Sequence, residues 1–244
     1  MIEIRNIEKR FRHIQALKNV SLVVNPGRVT GVVGPNGCGK TTLIKAILGL
    51  VIPDRGTINV CGQLVDSKGA HRELVGYLPQ TPDFPNNLRI AELFSMVEDI
   101  RGRKAPRLQE LVEMFELEKS LNRNLGVISG GMRQKVATTL AFMFDPPVLI
   151  LDEPSVGLDP VAAVRLKALI EAETKRDKTI LLVSHVMSEA EQLLSEMAFL
   201  LDGHLTFAGE VAALQRQAGA GSLEEALLYL MAPESQQRGD DARH

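Results

Sequence analysis

A glycine-rich segment that ends in lysine and threonine is the first feature of this sequence that could do chemistry. Residues 34–41 read Gly-Pro-Asn-Gly-Cys-Gly-Lys-Thr and fit the pattern G-x-x-x-x-G-K-[ST]. An apolar run precedes the segment and a helical repeat begins at Lys40, which is the setting that a phosphate-binding loop requires. Glycines allow successive backbone N–H groups to face phosphate oxygens, and the helix N-terminus adds partial positive charge. Lys40 is therefore expected to reach the β and γ phosphates, and Thr41 to ligate Mg²⁺.

Two adjacent carboxylates follow a second apolar run. Residues 148–151 are all aliphatic, and Asp152 and Glu153 come directly after them. Acids at this point would lie at the C-terminal end of a buried strand, where α/β sheets bind ligands. Asp152 is predicted to bind Mg²⁺ directly or through water, and Glu153 to polarise the attacking water. Strands often end in acidic residues, so this pair alone is a weak signal. Together with the phosphate-binding loop it predicts a composite site.

A second glycine-rich helix start narrows the choice among phosphate-loop enzymes. Residues 128–134 read Ile-Ser-Gly-Gly-Met-Arg-Gln and precede a helical run that continues through Phe144. Such a helix start also suits an anion, yet one nucleotide needs only one cradle. We therefore expect the second cradle to face a nucleotide held by another copy, which gives two composite sites at a dimer interface.

The segments around these residues alternate between strand and helix patterns. Strands are predicted at residues 2–7, 20–24, 29–33, 56–60, 74–78, 148–151, 179–183, 198–201 and 204–208, and helices at residues 40–48, 160–175 and 187–194. This alternation predicts an α/β fold: a P-loop NTPase core with a mainly parallel sheet and an N-terminal antiparallel β portion. Residues 90–119 are highly charged with helical periodicity, which indicates an inserted helical subdomain. The predicted division is an ATP-binding core (1–80 and 146–233), a helical signature subdomain (81–145) and a polar tail (234–244).

Composition limits the classes of partner. The 28 basic and 30 acidic residues nearly balance, so no nucleic-acid partner is expected.

The only cysteines, Cys38 and Cys61, fit neither a zinc site nor a disulfide framework, which favours a reducing cytosol. The most apolar stretch, residues 43–52, is far shorter than the roughly 20 residues that span a bilayer, so any membrane role needs another chain. Histidines other than His185 lack metal-ligand spacing and are expected at the surface.

Together these motifs resemble, in order and over nearly the whole length, the ATPase subunits of ABC transporters. Residues 34–42 resemble the Walker A loop, 148–153 the Walker B strand and 129–134 the signature motif. Gln80 resembles the Q-loop glutamine that joins the helical subdomain to the Mg²⁺ site. Residues 157–159 resemble the D-loop, and His185 the switch histidine that touches the γ-phosphate.

The resemblance implies a role for each matching residue. The catalytic residues would be Lys40, Gln80, Glu153 and His185, and the Mg²⁺ ligands would be Thr41, Gln80 and Asp152. ATP would be bound by Phe11, Gly34, Asn36, Gly37, Cys38, Gly39, Lys40, Thr41 and Thr42, together with Ser129, Gly130, Gly131 and Asp159.

Two of these positions differ from the usual family residue. Phe11 stands where a tyrosine usually stacks on adenine, and stacking needs only the face of the ring; a core position is the alternative. Cys38 stands where alanine or serine is commoner. The electropositive loop should favour its thiolate, so alkylation is expected to slow ATP hydrolysis and bound ATP to protect.

The function implied is an ATP-hydrolysing subunit that dimerises on ATP and drives a membrane permease, at the cytoplasmic face of the membrane. Residues 81–88, which directly follow Gln80, are the expected docking surface for that permease. Residues 221–230 resemble the short C-terminal helix of ABC-2 exporters, which favours export. Residues 76–88 resemble subunits linked with copper-site maturation of nitrous oxide reductase.

Two other classes share part of this pattern. A soluble ABC-type ATPase acting on DNA or ribosomes usually has two cassettes or a long coiled-coil insertion, whereas this chain has one phosphate loop and a short insertion. A nucleotide kinase shares the phosphate loop but gives no reason for the signature, D-loop and switch histidine. Co-purification with membrane proteins, or with ribosomes or nucleic acid, separates the first two classes.

Overall fold

The strands of this protein form two sheets, as seen in a computed structural model that describes residues 1–184 and 191–231. The strands are β1 (Ile2–Phe11), β2 (Ile14–Val24), β3 (Arg28–Val33), β4 (Arg55–Val60), β5 (Gln63–Leu64), β6 (Val75–Leu78), β7 (Val148–Asp152), β8 (Thr179–Val183), β9 (Glu196–Leu201) and β10 (His204–Glu210). The helices are α1 (Lys40–Ile47), α2 (Ile90–Arg101), α3 (Leu108–Met114), α4 (Gly130–Phe142), α5 (Pro160–Lys175), α6 (Val211–Ala218) and α7 (Leu223–Met231). Short 3₁₀ helices cover Ala70–Leu74, Glu118–Ser120 and Leu125–Val127.

The six-stranded sheet confirms the predicted mainly parallel core. Its strand order is β10-β9-β3-β8-β7-β6, and within this sheet, as far as the chain is described, only the β9–β10 pair is antiparallel. Parallel strands place their C-terminal ends at one edge of the sheet. The loops that follow β3, β6 and β7 therefore start at the same edge, and these loops carry the phosphate-loop residues, Gln80 and Glu153.

Both faces of the central strands β7 and β8 are buried, which explains why these strands are continuous apolar runs. In β7, Leu149 and Leu151 belong to a core cluster shared with α4 and α5. Val148 and Ile150 point the opposite way, into a cluster shared with α1 and the N-terminal strands. Alternate side chains of one strand thus join two separate cores.

The four-stranded sheet is the predicted N-terminal antiparallel portion. Its strand order is β2-β1-β4-β5, and each neighbouring pair is antiparallel. The β1–β2 hairpin extends further than the sequence indicates, because Phe11 pairs with Ile14 beyond the apolar alternation of residues 2–7. The backbone oxygen of Ala16 in β2 lies so close to the phosphate loop that a Cβ on Gly39 would be 2.6 Å from it.

Helices make up the regular structure of residues 81–145, between β6 and β7. The chain approaches itself closely where α4 crosses β6, since a Cβ on Gly76 would lie 2.0 Å from the carbonyl oxygen of Ala141. Glycine at residue 76 therefore allows α4 to rest directly on the sheet. This contact joins the C-terminal end of α4 to the beginning of β6.

A cluster of five charged residues joins the helical segment to the core at the opposite edge of the sheet. Glu173 is 1% exposed and contacts Arg107 Nη1 at 2.5 Å and Lys178 Nζ at 2.5 Å. Asp145 contacts Arg176 Nη2 at 2.8 Å and also pairs with Lys178. Burial alone would raise the pKa of Asp145, but hydrogen bonds from Arg176 and Lys178 lower it to about 2. We call Arg107, Asp145, Glu173, Arg176 and Lys178 the charge cluster.

Three parts of the chain differ from the sequence-based expectation or escape it. His71 is buried at 1% exposure, whereas a surface position was expected, because its 3₁₀ helix packs it under Gly49. The helix α6 was not predicted. Of the helix predicted at residues 187–194, residues 187–190 lie outside the described residues, and residues 191–193 are helical. The polar tail at 234–244 lies outside the described residues. No helix among residues 1–184 and 191–231 is long and apolar enough to cross a membrane.

Candidate nucleotide-binding site

The phosphate loop has the backbone conformation that anion binding requires. Gly34, Gly37 and Gly39 have φ values of 152°, 80° and 115°, which residues other than glycine rarely adopt. A Cβ on Gly37 would meet nothing within 4 Å, so the space above the loop is open. Helix α1 begins at Lys40 directly after Gly39, and its first N–H groups face that space.

Lys40 folds over the loop that carries it. Its Nζ donates hydrogen bonds to the carbonyl oxygens of Gly34 at 2.6 Å and Pro35 at 3.0 Å. Carbonyl oxygens are weak stand-ins for phosphate oxygens, which accept stronger, charge-assisted hydrogen bonds. The ammonium group is therefore held at the loop, ready to exchange these carbonyls for phosphate.

One pocket of about 450 Å³ collects the residues of three separate motifs. It is lined by Ala16, Asn36, Gly37, Gly39, Lys40, Thr41, Thr42, Gln80, Asp152, Glu153 and Val183. The structure thus brings the phosphate loop, Gln80 and the two carboxylates to one place, as the sequence predicts. No sequence motif marks Ala16 and Val183, since they line the pocket because of the position of β2 and β8 rather than because of their chemistry.

The donor atoms of this pocket suit a hard divalent cation. Thr41 offers a hydroxyl, Gln80 an amide carbonyl and Asp152 a carboxylate, and all three residues line the same pocket. Oxygen ligands of this kind, completed by phosphate and water, are the ones that Mg²⁺ prefers. Among the described residues, no group of three or more His, Cys, Asp or Glu side chains is arranged to hold a metal ion.

Glu153 sits at a bend in the backbone where β7 ends. Its φ is 50°, an uncommon value for a residue with a side chain, and its N–H donates to the carbonyl oxygen of Val183 at 2.9 Å. The side chain is buried, with 3% of the residue exposed. Strained backbone at a ligand site is a recurrent feature of residues held for function.

The second glycine-rich helix start lies apart from this pocket. Ser129 is exposed and caps α4, accepting a hydrogen bond from the N–H of Met132 at 3.2 Å. Ser129, Gly130 and Gly131 are not among the residues that line the pocket. The pocket and the exposed N-terminus of α4 are therefore two separate surfaces of one subunit.

Five other predicted residues lie outside the pocket lining or outside the described residues, and Cys38 is one of them. Phe11 is 44% exposed at the end of β1, with Lys9 Nζ 5.5 Å from the centre of its ring. Asp159 caps α5 and accepts a hydrogen bond from the N–H of Ala162 at 2.9 Å. The carbonyl oxygen of Gly34 accepts a hydrogen bond from Lys40 Nζ. His185 lies outside the described residues.

Cys38 is buried beneath the loop. It is 2% exposed, and its Sγ lies 3.9 Å from Lys40 Nζ and 2.7 Å from the position of a Cβ on Gly34. Reactive cysteines are usually partly exposed, so the burial of Cys38 opposes its alkylation. Access to Cys38 therefore requires the phosphate loop to open.

We expect the two cysteines to react at very different rates. Cys61 is exposed and should be modified by iodoacetamide at least tenfold faster than the buried Cys38. Peptide mass spectrometry over a time course measures both rates, and urea-unfolded protein, in which the two rates should converge, is the control. Equal rates in the folded protein would contradict the burial of Cys38.

Comparison with known proteins agrees with this fold and pocket. Residues 17–156, more than half of the chain, match the ABC transporter family. The Nod factor export ATP-binding protein I of Burkholderia orbicola (strain AU 1054) is 39% identical over 211 residues, covering 83% of this chain and 68% of that protein. The uncharacterised ABC transporter ATP-binding protein YxlF of Bacillus subtilis (strain 168) is 34% identical, covering 89% of this chain and 73% of its own.

Solved structures show the same likeness. An ATP-binding subunit of an ABC transporter superimposes with a TM-score of 0.89 at 30% identity, over 95% of this chain and all of that one. An ATP-binding cassette in a dimeric post-hydrolysis state, bound to ADP and Pi, gives a TM-score of 0.78 at 25% identity, over 86% of this chain and 98% of that one. This chain belongs to the ABC transporter family and is an ATP-binding subunit of that family.

Proposed function

We propose that this chain hydrolyses ATP with Mg²⁺, dimerises when ATP binds, and drives a membrane permease in the direction of export. The observation that carries the first part is the single pocket that holds Lys40, Thr41, Gln80, Asp152 and Glu153. Those residues provide a cation for the phosphates, oxygen donors for a metal and a carboxylate for water, which are the groups that phosphoryl transfer to water needs.

Each residue has a distinct task in the proposed reaction. Lys40 leaves the carbonyls of the loop and binds the β and γ phosphates of ATP. Glu153 orients a water molecule for attack on the γ-phosphorus and accepts its proton. Bound Mg²⁺, held by Thr41, Gln80 and Asp152, would neutralise charge on the phosphates. His185 is proposed, from its motif alone, to contact the γ-phosphate.

Dimerisation follows from the separation of the two cradles. The pocket faces one surface while Ser129, Gly130 and Gly131 are presented elsewhere at an exposed helix start. We propose that they bind the γ-phosphate of ATP held by a second copy, with Phe11 stacking on adenine and Asp159 near the interface. The related cassette that was solved with ADP and Pi is itself a dimer. ATP would then join the two copies, and its hydrolysis would release them.

A groove between the helical segment and the core is the proposed docking surface for the permease. Its volume is about 290 Å³, and its lining is largely apolar, with Leu48, Leu50, Tyr77, Leu140 and Phe144 among the residues. An exposed apolar surface of this kind more often marks a site where a partner binds than a surface that only faces solvent. Residues 81–88, the docking surface expected from the sequence, follow the same strand, β6. The proposed docking surface consists of this loop and the groove together.

The groove also reaches the metal site. Tyr77 lines the groove, and burial together with the charge of the Asp152 carboxylate raises its pKa to about 12. Tyr77 in β6 therefore connects the groove to the predicted Mg²⁺ ligand Asp152, at the end of the paired strand β7. The guanidinium carbons of Arg101 and Arg103 lie 5.3 and 5.2 Å from the centre of the Phe144 ring. Because these positive charges lie next to an apolar ring, the groove favours a partner segment that is apolar and carries a carboxylate.

Export is the proposed direction of transport. Relatives at 37–39% identity are named as export ATP-binding proteins for Nod factor, which supports the direction and not the cargo. The ABC-2 class is proposed because residues 221–230, which resemble its C-terminal helix, contain all of α7 except its last residue. A relation to copper-site maturation is proposed only from the resemblance of residues 76–88. The permease would hold this chain at the cytoplasmic face of the membrane.

The test is a detergent pull-down from native cells, with two matched surface variants. Leu50 in the groove and Leu64 in β5 are 60% and 57% exposed, so Leu50→Glu and Leu64→Glu place the same charge on equally accessible residues. We expect a multi-spanning protein to co-elute with the parent chain and with Leu64→Glu, and to be lost from Leu50→Glu, while the isolated variants keep their ATP hydrolysis.

Two results would contradict this proposal. Co-elution of ribosomes or nucleic acid with no membrane protein would favour the non-transport class of ABC ATPase. Retention of the membrane protein by Leu50→Glu would place the docking surface away from the groove.

A further inference from the structure

Helix α4 and the loop between β7 and α5, residues 153–159, touch along one stripe of the helix. Gly131, Gln134 and Lys135 are spaced as i, i+3 and i+4, so they lie on the same face of α4. Each of the three meets a different part of the loop. We call this loop the carboxylate loop, because Glu153 is its first residue.

The deepest of the three contacts lies next to Glu153. Gln134 is 2% exposed, and its Nε2 donates a hydrogen bond to the carbonyl oxygen of Pro154 at 3.1 Å. A buried amide without this acceptor would lose a hydrogen bond that water cannot replace. The residue that directly follows Glu153 is therefore fixed to α4.

The other two contacts hold the far end of the loop. Lys135 Nζ lies 2.7 Å from Asp159 Oδ2, while Asp159 Oδ1 accepts the N–H of Ala162 at 2.9 Å. A Cβ on Gly131 would lie 2.7 Å from the carbonyl oxygen of Gly157, so only glycine at residue 131 allows the helix to approach this closely. Hydrogen bonds from Lys135 and from the Ala162 N–H lower the pKa of Asp159, which keeps the pair charged at neutral pH.

The same helix begins at the exposed Ser129, so one rigid element joins the N-terminal cradle to the carboxylate loop. We propose that Gln134 and Lys135 are positioning residues, through which a ligand bound at Ser129–Gly131 sets the placement of Glu153 in the same subunit. This inference rests on the proposed composite sites. If each copy of α4 binds the nucleotide of the other copy, then occupation of one site aligns the carboxylate of the second site, and hydrolysis at the two sites is coupled.

Lys135 provides the cleaner test, because its ion pair lies near the surface while Gln134 is buried and its variants could fail to fold. The side chains of Lys135 and Asp159 are 17% and 50% exposed. The variants are Lys135→Met, which keeps the length of the side chain, Lys135→Arg, which keeps the charge, and Asp159→Asn, which keeps the helix cap. The double variant of Lys135→Met and Asp159→Asn completes the cycle.

Steady-state ATP hydrolysis by the full chain separates positioning from simple structural support. We expect Lys135→Met to lower kcat about tenfold, to leave KM for ATP within about twofold, and to reduce the Hill coefficient for ATP toward one. Lys135→Arg should retain kcat and the Hill coefficient. The double variant should be no slower than the slower single variant, because both changes break the same link.

A second ion pair on α5 is the matched control. Arg165 Nη2 lies 2.6 Å from Glu116 Oε1, with side chains 34% and 67% exposed, and this pair also joins α5 to the helical segment. Arg165→Met and Glu116→Gln should leave kcat and the Hill coefficient unchanged. Equal losses in these controls, or additive losses from Lys135→Met and Asp159→Asn, would overturn the inference.

Failure of the proposed function has a different signature. In that case the parent chain would show no ATP hydrolysis and no ATP-dependent dimer, and the coupling inferred for Lys135 would fall with it. A parent chain that hydrolyses ATP cooperatively while Lys135→Met keeps the parent kcat and Hill coefficient would overturn the positioning role alone.

Discussion

Replacement of Glu153 by glutamine should reduce ATP turnover by about 10²- to 10⁴-fold, the range that a positioned general base contributes. The change keeps the shape of the side chain at a residue that is 3% exposed and lines the same pocket as Lys40. It removes the carboxylate that accepts a proton from water, and it leaves the phosphate loop intact. ATP should therefore still bind, and the ATP-bound dimer should persist because its ligand is no longer consumed.

Two measurements on Glu153→Gln check both halves of this expectation. Phosphate release measures turnover, and size-exclusion chromatography with and without ATP measures the dimer. Adding Lys40→Met to Glu153→Gln is the control, since loss of the ammonium group should prevent the ATP-dependent dimer. Rapid multiple turnover by Glu153→Gln, or a chain that stays monomeric with ATP bound, would contradict the proposed site.

Much of the fold and the pocket could be predicted because local patterns determine them. The strand at 179–183 and the helix at 160–175 have the predicted bounds, since a continuous apolar run and a proline at the first helical position are strong local signals. The shared C-terminal edge of parallel strands then brings Lys40, Gln80 and Glu153 together, which the spacing of motifs alone anticipates.

Contacts between distant segments could not be predicted in the same way. The sequence marks Gly131 as part of an anion cradle, yet its closeness to Gly157 depends on how α4 crosses the sheet. Lys135 carries no motif, and its pairing with Asp159 is visible only once both helices are placed. Cys38 was expected to be reactive from the charge of its loop, but burial under that loop is a tertiary property.

Substitution of Glu173 should have the largest effect on stability. Glu173→Gln removes the negative charge at the centre of the charge cluster, where Glu173 is 1% exposed and contacts the nearly buried Lys178 and Arg107. Breaking one partner of a buried ion pair costs about 3 to 5 kcal/mol, because it leaves an uncompensated buried charge. The free energy of unfolding of this chain, measured by urea titration, should fall by that amount.

Two further variants separate the buried cluster from ordinary surface charge. Glu3 pairs with Arg5 at 3.0 Å where the Arg5 side chain is 69% exposed, so Glu3→Gln should cost less than about 1 kcal/mol. Adding Lys178→Met to Glu173→Gln should recover part of the loss, because the buried cation that lost one of its two acidic partners is removed as well. A loss for Glu173→Gln no larger than that for Glu3→Gln would show that the charge cluster does not hold the helical segment to the core. The expected large difference would mean that this segment, which carries both α4 and the proposed docking groove, is anchored at the edge of the sheet away from the nucleotide pocket.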